Sequence, residues 1–183
     1  MTTKPSATLD DLYRVPGDQK AELVNGELVL MPPTGGLPGY AGGEIFASLR
    51  EYARRTGAGI AFPDNVGFIA ELPHRQSFSP DAAFFTGPTP TMKFLLGAPV
   101  FAAEVRSEGG YGPHAEREFA RKRADYFAAG TRVVWDVDLL SPEVVRSYRA
   151  DAPDHPARFR RGDTASAEPA VPGWLMPVDD LFL

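Results

Sequence analysis

The sequence predicts one mixed α/β (or α+β) domain, in which helices flank a central mixed β-sheet that follows an N-terminal β-hairpin. The first observation behind this prediction is the order of the apolar patterns: helix, hairpin, helix, strands, helix, strands. The second is length, because 183 residues, 43% of them hydrophobic, suffice for one core; residues 1–183 are therefore expected to form a single domain. The third is the spread of 18 glycines and 18 prolines, which indicates many turns rather than an interdomain linker.

The first predicted elements are a short helix and a hairpin. Thr8 suits the N-cap position of a helix that lies over the core. The Asn-Gly pair at residues 25–26, between two apolar arms, predicts a hairpin over residues 21–31 with a two-residue loop. In that register Glu22 and Glu27 share one face, where carboxylates are commonly solvated.

The middle of the chain predicts a helix followed by several strands. Residues 32–39 are rich in proline and glycine, which predicts an irregular segment before a helix over residues 43–55. Residues 60–70 contain two short apolar runs around a Pro-Asp-Asn tripeptide, which predicts two strands paired across a turn. Further strands are expected over residues 78–85 and 100–107.

The last third of the chain predicts one more helix and two more strands. Residues 114–129 have the strongest helical pattern in the chain, closed by Gly130 at position C′. Strands are expected over residues 131–138 and 144–149. Residues 151–169 are polar and rich in turn-forming residues, so no strand is predicted there.

Charge and composition exclude several classes of function. A net charge of −5 argues against the basic footprint of a protein that coats nucleic acid, although a local basic patch remains compatible with it. Without cysteine there is neither a disulfide framework nor a thiolate zinc site, so any metal ion must be bound by oxygen or imidazole. Residues 1–6 lack an apolar signal core, and no run approaches the roughly 20 apolar residues of a membrane-spanning helix. A cytoplasmic protein with no membrane partner is expected.

Three charged residues stand within or beside apolar segments and are candidates for a site. Glu104 lies in the apolar, strand-like run of residues 100–107, where an uncompensated charge costs several kcal/mol. Asp81 follows a proline and leads into a strand, and helical spacing places Lys122 among apolar residues of helix 114–129. Two carboxylates on neighbouring strands can bind Mg²⁺, and a nearby lysine can orient water or neutralise transition-state charge.

Structural interpretations of the same residues remain open. Asp81 also suits a turn that follows proline, and Glu104 can be a buried partner of Arg106 or Lys122. Lys122 can extend from the apolar stripe to solvent. Three histidines lack metal-ligand spacing: His74, His114 and His155.

Four motifs occur in the order found in a known family. They are AELVNGEL at residues 21–28, SPDAAF at 79–84, AEVRS at 103–107 and RKRADYFAAG at 121–130. With Trp135–Asp138 and the segment 172–182, they make nearly the whole chain resemble the Uma2-type (DUF820) family of the PD-(D/E)xK nuclease superfamily. The resemblance implies the restriction-endonuclease-like fold.

The resemblance also implies an activity and a set of site residues. A Mg²⁺- or Mn²⁺-dependent endonuclease that hydrolyses DNA would use Asp81 and Glu104 as metal ligands and Lys122 as the catalytic lysine. The superfamily's usual lysine position is Arg106 here, and this arginine could bind a phosphate of the substrate. Glu22 is an additional candidate as a third carboxylate. A homodimer would suit a duplex with two strands to cut, but no residue requires one.

Three departures from the family pattern leave a second function open. Pro38 and Gly39 stand where many relatives have a histidine, and residues 107–110 differ from the usual loop after the strand. Asp136 stands at a position that is normally apolar, and the sequence offers no account of it. Whether the chain is an enzyme therefore stays open, and the alternative is a catalytically inactive scaffold of the same fold that binds nucleic acid or protein.

Overall fold

The computed structural model describes residues 6–17 and 19–183. Its helices are α1 (Leu9–Tyr13), α2 (Gly36–Thr56) and α3 (Pro113–Ala128), with a 3-10 turn over Val178–Leu181. Its strands are β1 (Lys20–Val24), β2 (Glu27–Met31), β3 (Ile60–Pro63), β4 (Phe68–Ile69), β5 (Ser77–Phe78), β6 (Ala82–Phe85), β7 (Leu95–Leu96), β8 (Phe101–Val105), β9 (Val133–Val137), β10 (Val145–Arg149), β11 (Ala152–Phe159), β12 (Thr164–Ser166) and β13 (Leu175–Pro177). Residues 1–5, where the sequence indicates no signal segment, lie outside the described residues. Among the helices described, none is both long enough and apolar enough to cross a bilayer.

Six strands form a central mixed sheet in the order β11-β10-β9-β8-β6-β3. Strands β8 and β9 at its middle are parallel, and the other neighbouring strands are antiparallel. Every residue of β8 and β9 is buried, as is usual for strands that are covered on both faces. The prediction of a mixed sheet flanked by helices and preceded by a hairpin is confirmed.

Helices α2 and α3 cover opposite faces of this sheet. Ile45 of α2 belongs to a core with Phe101 and Ala103 of β8. Tyr126 of α3 belongs to a second core, which includes Ala102 of the same strand. Because side chains alternate along a strand, residues 102 and 104 share a face, and Glu104 therefore points toward α3.

The amino-terminal elements form as the sequence predicts. Helix α1 begins after Thr8, whose hydroxyl accepts a hydrogen bond from the backbone N–H of Asp11 in a capping box. Strands β1 and β2 pair in the predicted register. The loop residues Asn25 and Gly26 have φ angles of 51° and 70°, the left-handed values that an Asn-Gly hairpin turn requires.

Helix α2 begins at Gly36, earlier than the predicted start at Gly43. Pro38 lies in its first turn, where a backbone N–H has no acceptor within the helix, so the missing N–H costs no hydrogen bond. The prediction of an irregular segment over residues 32–39 is therefore wrong for its second half.

Two predicted strand arrangements are also wrong. Strand β3 pairs with β6 at the edge of the central sheet, whereas β4 pairs with β5 and β7 in a separate three-stranded sheet. The turn after β3 contains Asn65 at φ 61°, and it leads the chain away from the central sheet instead of back along β3. The strand predicted over residues 78–85 is divided into β5 and β6, because Pro80 has no N–H for a ladder.

The polar segment after β10 contains two strands that its composition does not predict. Strand β11 is the outermost strand of the central sheet and pairs with β10 alone. An edge strand tolerates polar side chains, and its Pro153 and Pro156 are acceptable because one side of the strand needs no backbone donor. Strand β12 pairs with β13 in a two-stranded sheet.

Candidate active site

Four elements bring the predicted site residues to the α3 face of the central sheet. Strand β1 carries Glu22, the residue before β6 is Asp81, β8 carries Glu104 and α3 carries Lys122. These elements come from distant parts of the sequence, so the cluster depends on the sheet order and on the packing of the hairpin against α3. Its members are joined by buried ion pairs.

Glu104 is the carboxylate at the centre of the cluster, with a side chain that is 11% exposed. Its Oε1 atom lies 2.8 Å from Nζ of Lys122 and accepts a hydrogen bond of 2.6 Å from Oη of Tyr126. Burial raises the pKa of Glu104, and Asp81 and Glu22 add to this rise, which Lys122 opposes. No donor among the described residues reaches its second oxygen, Oε2.

Replacing Tyr126 by phenylalanine is expected to lower the free energy of unfolding by about 1.5 kcal/mol, the usual cost of losing a hydrogen bond to a charged group. The ring would keep its stacking on Phe78, whose centroid lies 4.1 Å away, so only the hydroxyl is tested. Urea denaturation measures the change. Tyr52→Phe is the matched control, because the Tyr52 hydroxyl donates to the neutral carbonyl of Pro172. If Tyr126→Phe lost no more stability than Tyr52→Phe, the result would contradict a charged acceptor for the Tyr126 hydroxyl.

Lys122 is held between two carboxylates rather than extended into solvent. Its Nζ lies 2.9 Å from Oε1 of Glu22 and 2.8 Å from Oε1 of Glu104, and its side chain is 16% exposed. Burial alone would lower the pKa of Lys122, but Glu104 and Glu22 outweigh it and raise the pKa above its ordinary value. The ammonium is therefore charged and fixed in position at neutral pH.

Glu22 is buried, unlike the exposed Glu27 on the same hairpin, so its interpretation as a solvated carboxylate is wrong. Its Oε1 accepts the backbone N–H of Ser79 at 2.9 Å, and its Oε2 accepts Nη1 of Arg75 at 2.6 Å. Burial opposes ionisation, but Lys122 and Arg75 outweigh it and lower the pKa of Glu22. Glu22 is therefore a buried ion-pair partner of Lys122.

Arg75 belongs to the same buried cluster of charges, although the sequence does not indicate it. It joins Glu22 to Asp125 of α3, because its Nε donates to Oδ2 of Asp125 at 2.7 Å. Oδ1 of Asp125 in turn lies 2.6 Å from Nε2 of the half-exposed His74. Residue 75 lies in a polar stretch between strands, and no local pattern indicates that its side chain is buried.

Asp81 contacts the end of β8 and also Lys20, a residue that the sequence did not indicate as part of the site. Its Oδ2 accepts the backbone N–H of Val105 at 2.7 Å. Its Oδ1 lies 2.8 Å from Nζ of Lys20, the first residue of β1, and the same ammonium lies 2.6 Å from Oδ1 of Asp64. Lys20 therefore stands directly beside the proposed metal ligand Asp81.

Arg106 has no donor left for a phosphate, contrary to the role suggested by the family resemblance. Its Nε and Nη2 both donate to the carboxylate of Asp136 at 2.7 Å, and its side chain is 1% exposed. Nη1 and Nη2 also donate to Glu116, and Nη1 donates to the carbonyl of Gly110 at 3.3 Å. Five contacts thus occupy the five N–H groups of a guanidinium. Asp136, unexplained by sequence, is the buried partner of Arg106.

Two cavities reach the cluster from different sides. One, of about 450 Å³, is lined by Glu104 and Lys122 together with Arg75, Ser107 and His114. The other, of about 120 Å³, is lined by Asp81, Asp64 and the start of α2, including Pro38, Gly39 and Gly42. Pro38 and Gly39 therefore border the same cavity as Asp81, and they contribute no polar side chain to it.

The donor set suits a hard cation, although no group of three or more His, Asp or Glu side chains with metal-binding geometry occurs in residues 6–17 and 19–183. Mg²⁺ is commonly bound by one or two carboxylates and keeps several waters. Asp81 and Glu104 supply two carboxylates within electrostatic reach of each other, and Oε2 of Glu104 has no hydrogen-bond donor among the described residues. The pair therefore fits an ion that water molecules also coordinate.

The strand order and the flanking helices form a mixed α/β fold of the restriction-endonuclease-like type. The chain belongs to the Uma2 family, since residues 7–179 match the family model described as "Putative restriction endonuclease". The membership inferred from the sequence motifs is thus confirmed.

The fold is also similar to a crystal structure from Anabaena variabilis ATCC 29413, described as a "putative nuclease belonging to DUF820". The TM-score is 0.72, and the match covers 96% of this chain and 97% of that chain at 17% sequence identity. No curated protein matches the chain.

Proposed function

We propose that this chain is a divalent-metal-dependent endonuclease that hydrolyses phosphodiester bonds of DNA, with Mg²⁺ or Mn²⁺ as its cofactor. The observation that carries the proposal is the charged Lys122 ammonium held 2.8 Å from Glu104, with Asp81 close enough to affect the Glu104 pKa. A buried acid-acid-lysine set of this kind is costly to retain unless it is used.

Asp81 and Glu104 would hold the divalent ion, Asp81 from the start of β6 and Glu104 from β8. When bound, such an ion polarises a phosphoryl oxygen and makes a coordinated water more acidic. The backbone N–H of Val105 orients the Asp81 carboxylate, and the Tyr126 hydroxyl orients that of Glu104. Both ligands are therefore positioned before an ion arrives, which reduces the cost of binding it.

Lys122 would orient the attacking water and stabilise the negative charge that develops on the phosphoryl group. Hydrolysis forms one P–O bond to the water oxygen and breaks another, and the departing oxygen takes up a proton. Glu22 acts as a positioning residue, since its contact with Lys122 is anchored by Arg75 and by the Ser79 N–H. The lysine is thus fixed from one side and faces Glu104 on the other.

The larger cavity gives a substrate access to the proposed catalytic groups. It opens beside Glu104 and Lys122, and its lining carries both basic and acidic side chains, including Arg75 and Glu118. DNA is proposed as the substrate because the family is described as restriction endonucleases.

Cleavage of supercoiled plasmid with Mg²⁺ or Mn²⁺ tests this function. The wild type is expected to nick or linearise the plasmid, and an excess of chelator is expected to abolish the activity. Asp81→Asn and Glu104→Gln are each expected to reduce cleavage by about 10²-fold or more, because each loses a charged ligand.

Asp154→Asn is the matched control. Asp154 also follows a proline, but it is exposed on the edge strand β11, so wild-type activity is expected. Equal activity in the wild type, Asp81→Asn and Glu104→Gln would place any observed cleavage at another site or in a contaminant.

A second candidate function is a catalytically inactive scaffold that binds nucleic acid or protein. It is favoured by one observation: both oxygens of Asp81 already have partners, Lys20 and the Val105 N–H, without a metal ion. Calorimetric titration separates the two functions. A folded wild-type chain that binds neither Mg²⁺ nor Mn²⁺ would favour the scaffold.

A further inference from the structure

Lys20 is the one cation paired with Asp81 among the described residues. Its ammonium is 2.8 Å from Oδ1 of Asp81, and its side chain is only 12% exposed. Lys122, the lysine of the proposed mechanism, contacts Glu22 and Glu104 instead. The carboxylate of Asp81 is therefore neutralised by a side chain that the proposed reaction does not use.

The Lys20 ammonium lies where it would compete with a metal ion for Asp81. It is in direct contact with one of the two carboxylates that would hold a divalent ion. An ion that arrives there must either displace the ammonium from Asp81 or bind beside it against charge repulsion, and both reduce its affinity.

A second partner for the ammonium is already in place. Oδ1 of Asp64 lies 2.6 Å from Nζ of Lys20, and the Asp64 side chain is 43% exposed at the end of the β3 strand. A small movement of the lysine side chain would release Asp81 and keep the contact with Asp64. Lys20 thus has two acidic partners, only one of which is a proposed metal ligand.

We propose that Lys20 is an internal competitor of the metal ion: its ammonium pairs with both Asp81 and Asp64 when no ion is bound, and it gives up Asp81 and keeps Asp64 when a divalent ion binds. It thereby sets the metal affinity of the site. This inference rests on the proposed metal-dependent function, but it concerns binding rather than turnover.

Calorimetric titration with Mn²⁺ alone, without substrate, tests the inference. Lys20→Met is expected to bind Mn²⁺ about tenfold or more tightly than the wild type, because the competing charge is gone. Asp64→Asn is expected to bind Mn²⁺ more weakly than the wild type, because the displaced ammonium loses its second partner. Lys93→Met, which removes an exposed lysine that pairs with neither Asp81 nor Asp64, is the matched control and is expected to bind like the wild type.

Thermal unfolding in the absence of metal shows whether each variant folds. Lys20→Gln is a second variant for the case that Lys20→Met is unfolded, since its amide can still donate to Asp81 without a charge. It too is expected to bind Mn²⁺ more tightly than the wild type.

Equal or weaker Mn²⁺ binding by the folded Lys20 variants would overturn the competitor role and leave the metal site standing. Absence of Mn²⁺ binding in both the wild type and these variants would overturn the metal-dependent function itself. Binding by a Lys20 variant but not by the wild type would support the competitor role most strongly.

Discussion

Lys122→Met is expected to reduce metal-dependent DNA cleavage by about 10²- to 10³-fold, the usual effect of removing one preorganised donor from a charged transition state. Methionine keeps much of the volume of the lysine side chain and removes its charge. Glu22 would retain Arg75 and the Ser79 N–H, and Glu104 would retain Tyr126, so neither carboxylate is left without a donor. Single-turnover cleavage at saturating Mg²⁺ measures the loss.

The matched control for this prediction is the preceding residue in α3. Arg121 is also a helical cation, but its side chain is 72% exposed and pairs with Glu118 on the helix surface. Arg121→Met is therefore expected to cleave DNA at a rate close to that of the wild type. Calorimetry should show that Lys122→Met still binds Mn²⁺, since Asp81 and Glu104 are unchanged. If Lys122→Met cleaved DNA at the wild-type rate, Lys122 would have no part in the mechanism.

Asp136→Leu is expected to lower the free energy of unfolding by about 3 kcal/mol or more, because it leaves the buried Arg106 guanidinium without its bidentate partner. Both Asp136 and Arg106 have side chains that are almost fully buried, at 4% and 1% exposed. Glu116 would compensate only in part, since its own side chain is 50% exposed. Urea denaturation of the variant and the wild type measures the difference.

A double variant identifies the cause of this loss. Replacing both residues of the pair, in Arg106→Met with Asp136→Leu, removes the uncompensated charge and is expected to recover most of the lost stability. Glu118→Ala breaks an exposed ion pair with Arg121 and is the matched control, with an expected change below about 1 kcal/mol. A double variant as unstable as Asp136→Leu alone would show that packing, not the unpaired charge, causes the loss.

The pairing of Arg106 with Asp136 accounts for a residue that the linear sequence leaves unexplained. Arg106 stands two residues after Glu104, and Asp136 lies beside Glu104 on the neighbouring parallel strand β9. A buried arginine is costly without a carboxylate partner, and the parallel register of β8 and β9 brings Asp136 within reach of it. Asp136 thus compensates the buried charge of Arg106.

Features of the fold that depend on neighbouring residues could be predicted. The Asn-Gly turn determines the hairpin register because only a few residue types adopt the backbone angles that it needs. Helix α3 lies within one residue of its predicted bounds, and the apolar spacing along it correctly places Lys122 beside the buried Tyr126. The alternation of side chains along β8 likewise indicates that Glu104 is buried toward one face of the sheet.

Which strands and charged groups meet was decided by the tertiary structure. Glu22 and Lys20 belong to a hairpin whose sequence is also typical of a solvated one; they are buried because the hairpin lies near β5, the start of β6 and α3. Arg75 and Asp136 are ordinary polar residues until their partners, distant in the chain, are known.

The sequence by itself thus determined the family, the mixed sheet with its hairpin, and the identity of Asp81, Glu104 and Lys122 as candidates, because local periodicity and ordered motifs carry that information. Only the tertiary structure decided which charges neutralise one another. Ion pairs between residues far apart in the chain leave no periodic signal, and their geometry depends on how strands and helices pack.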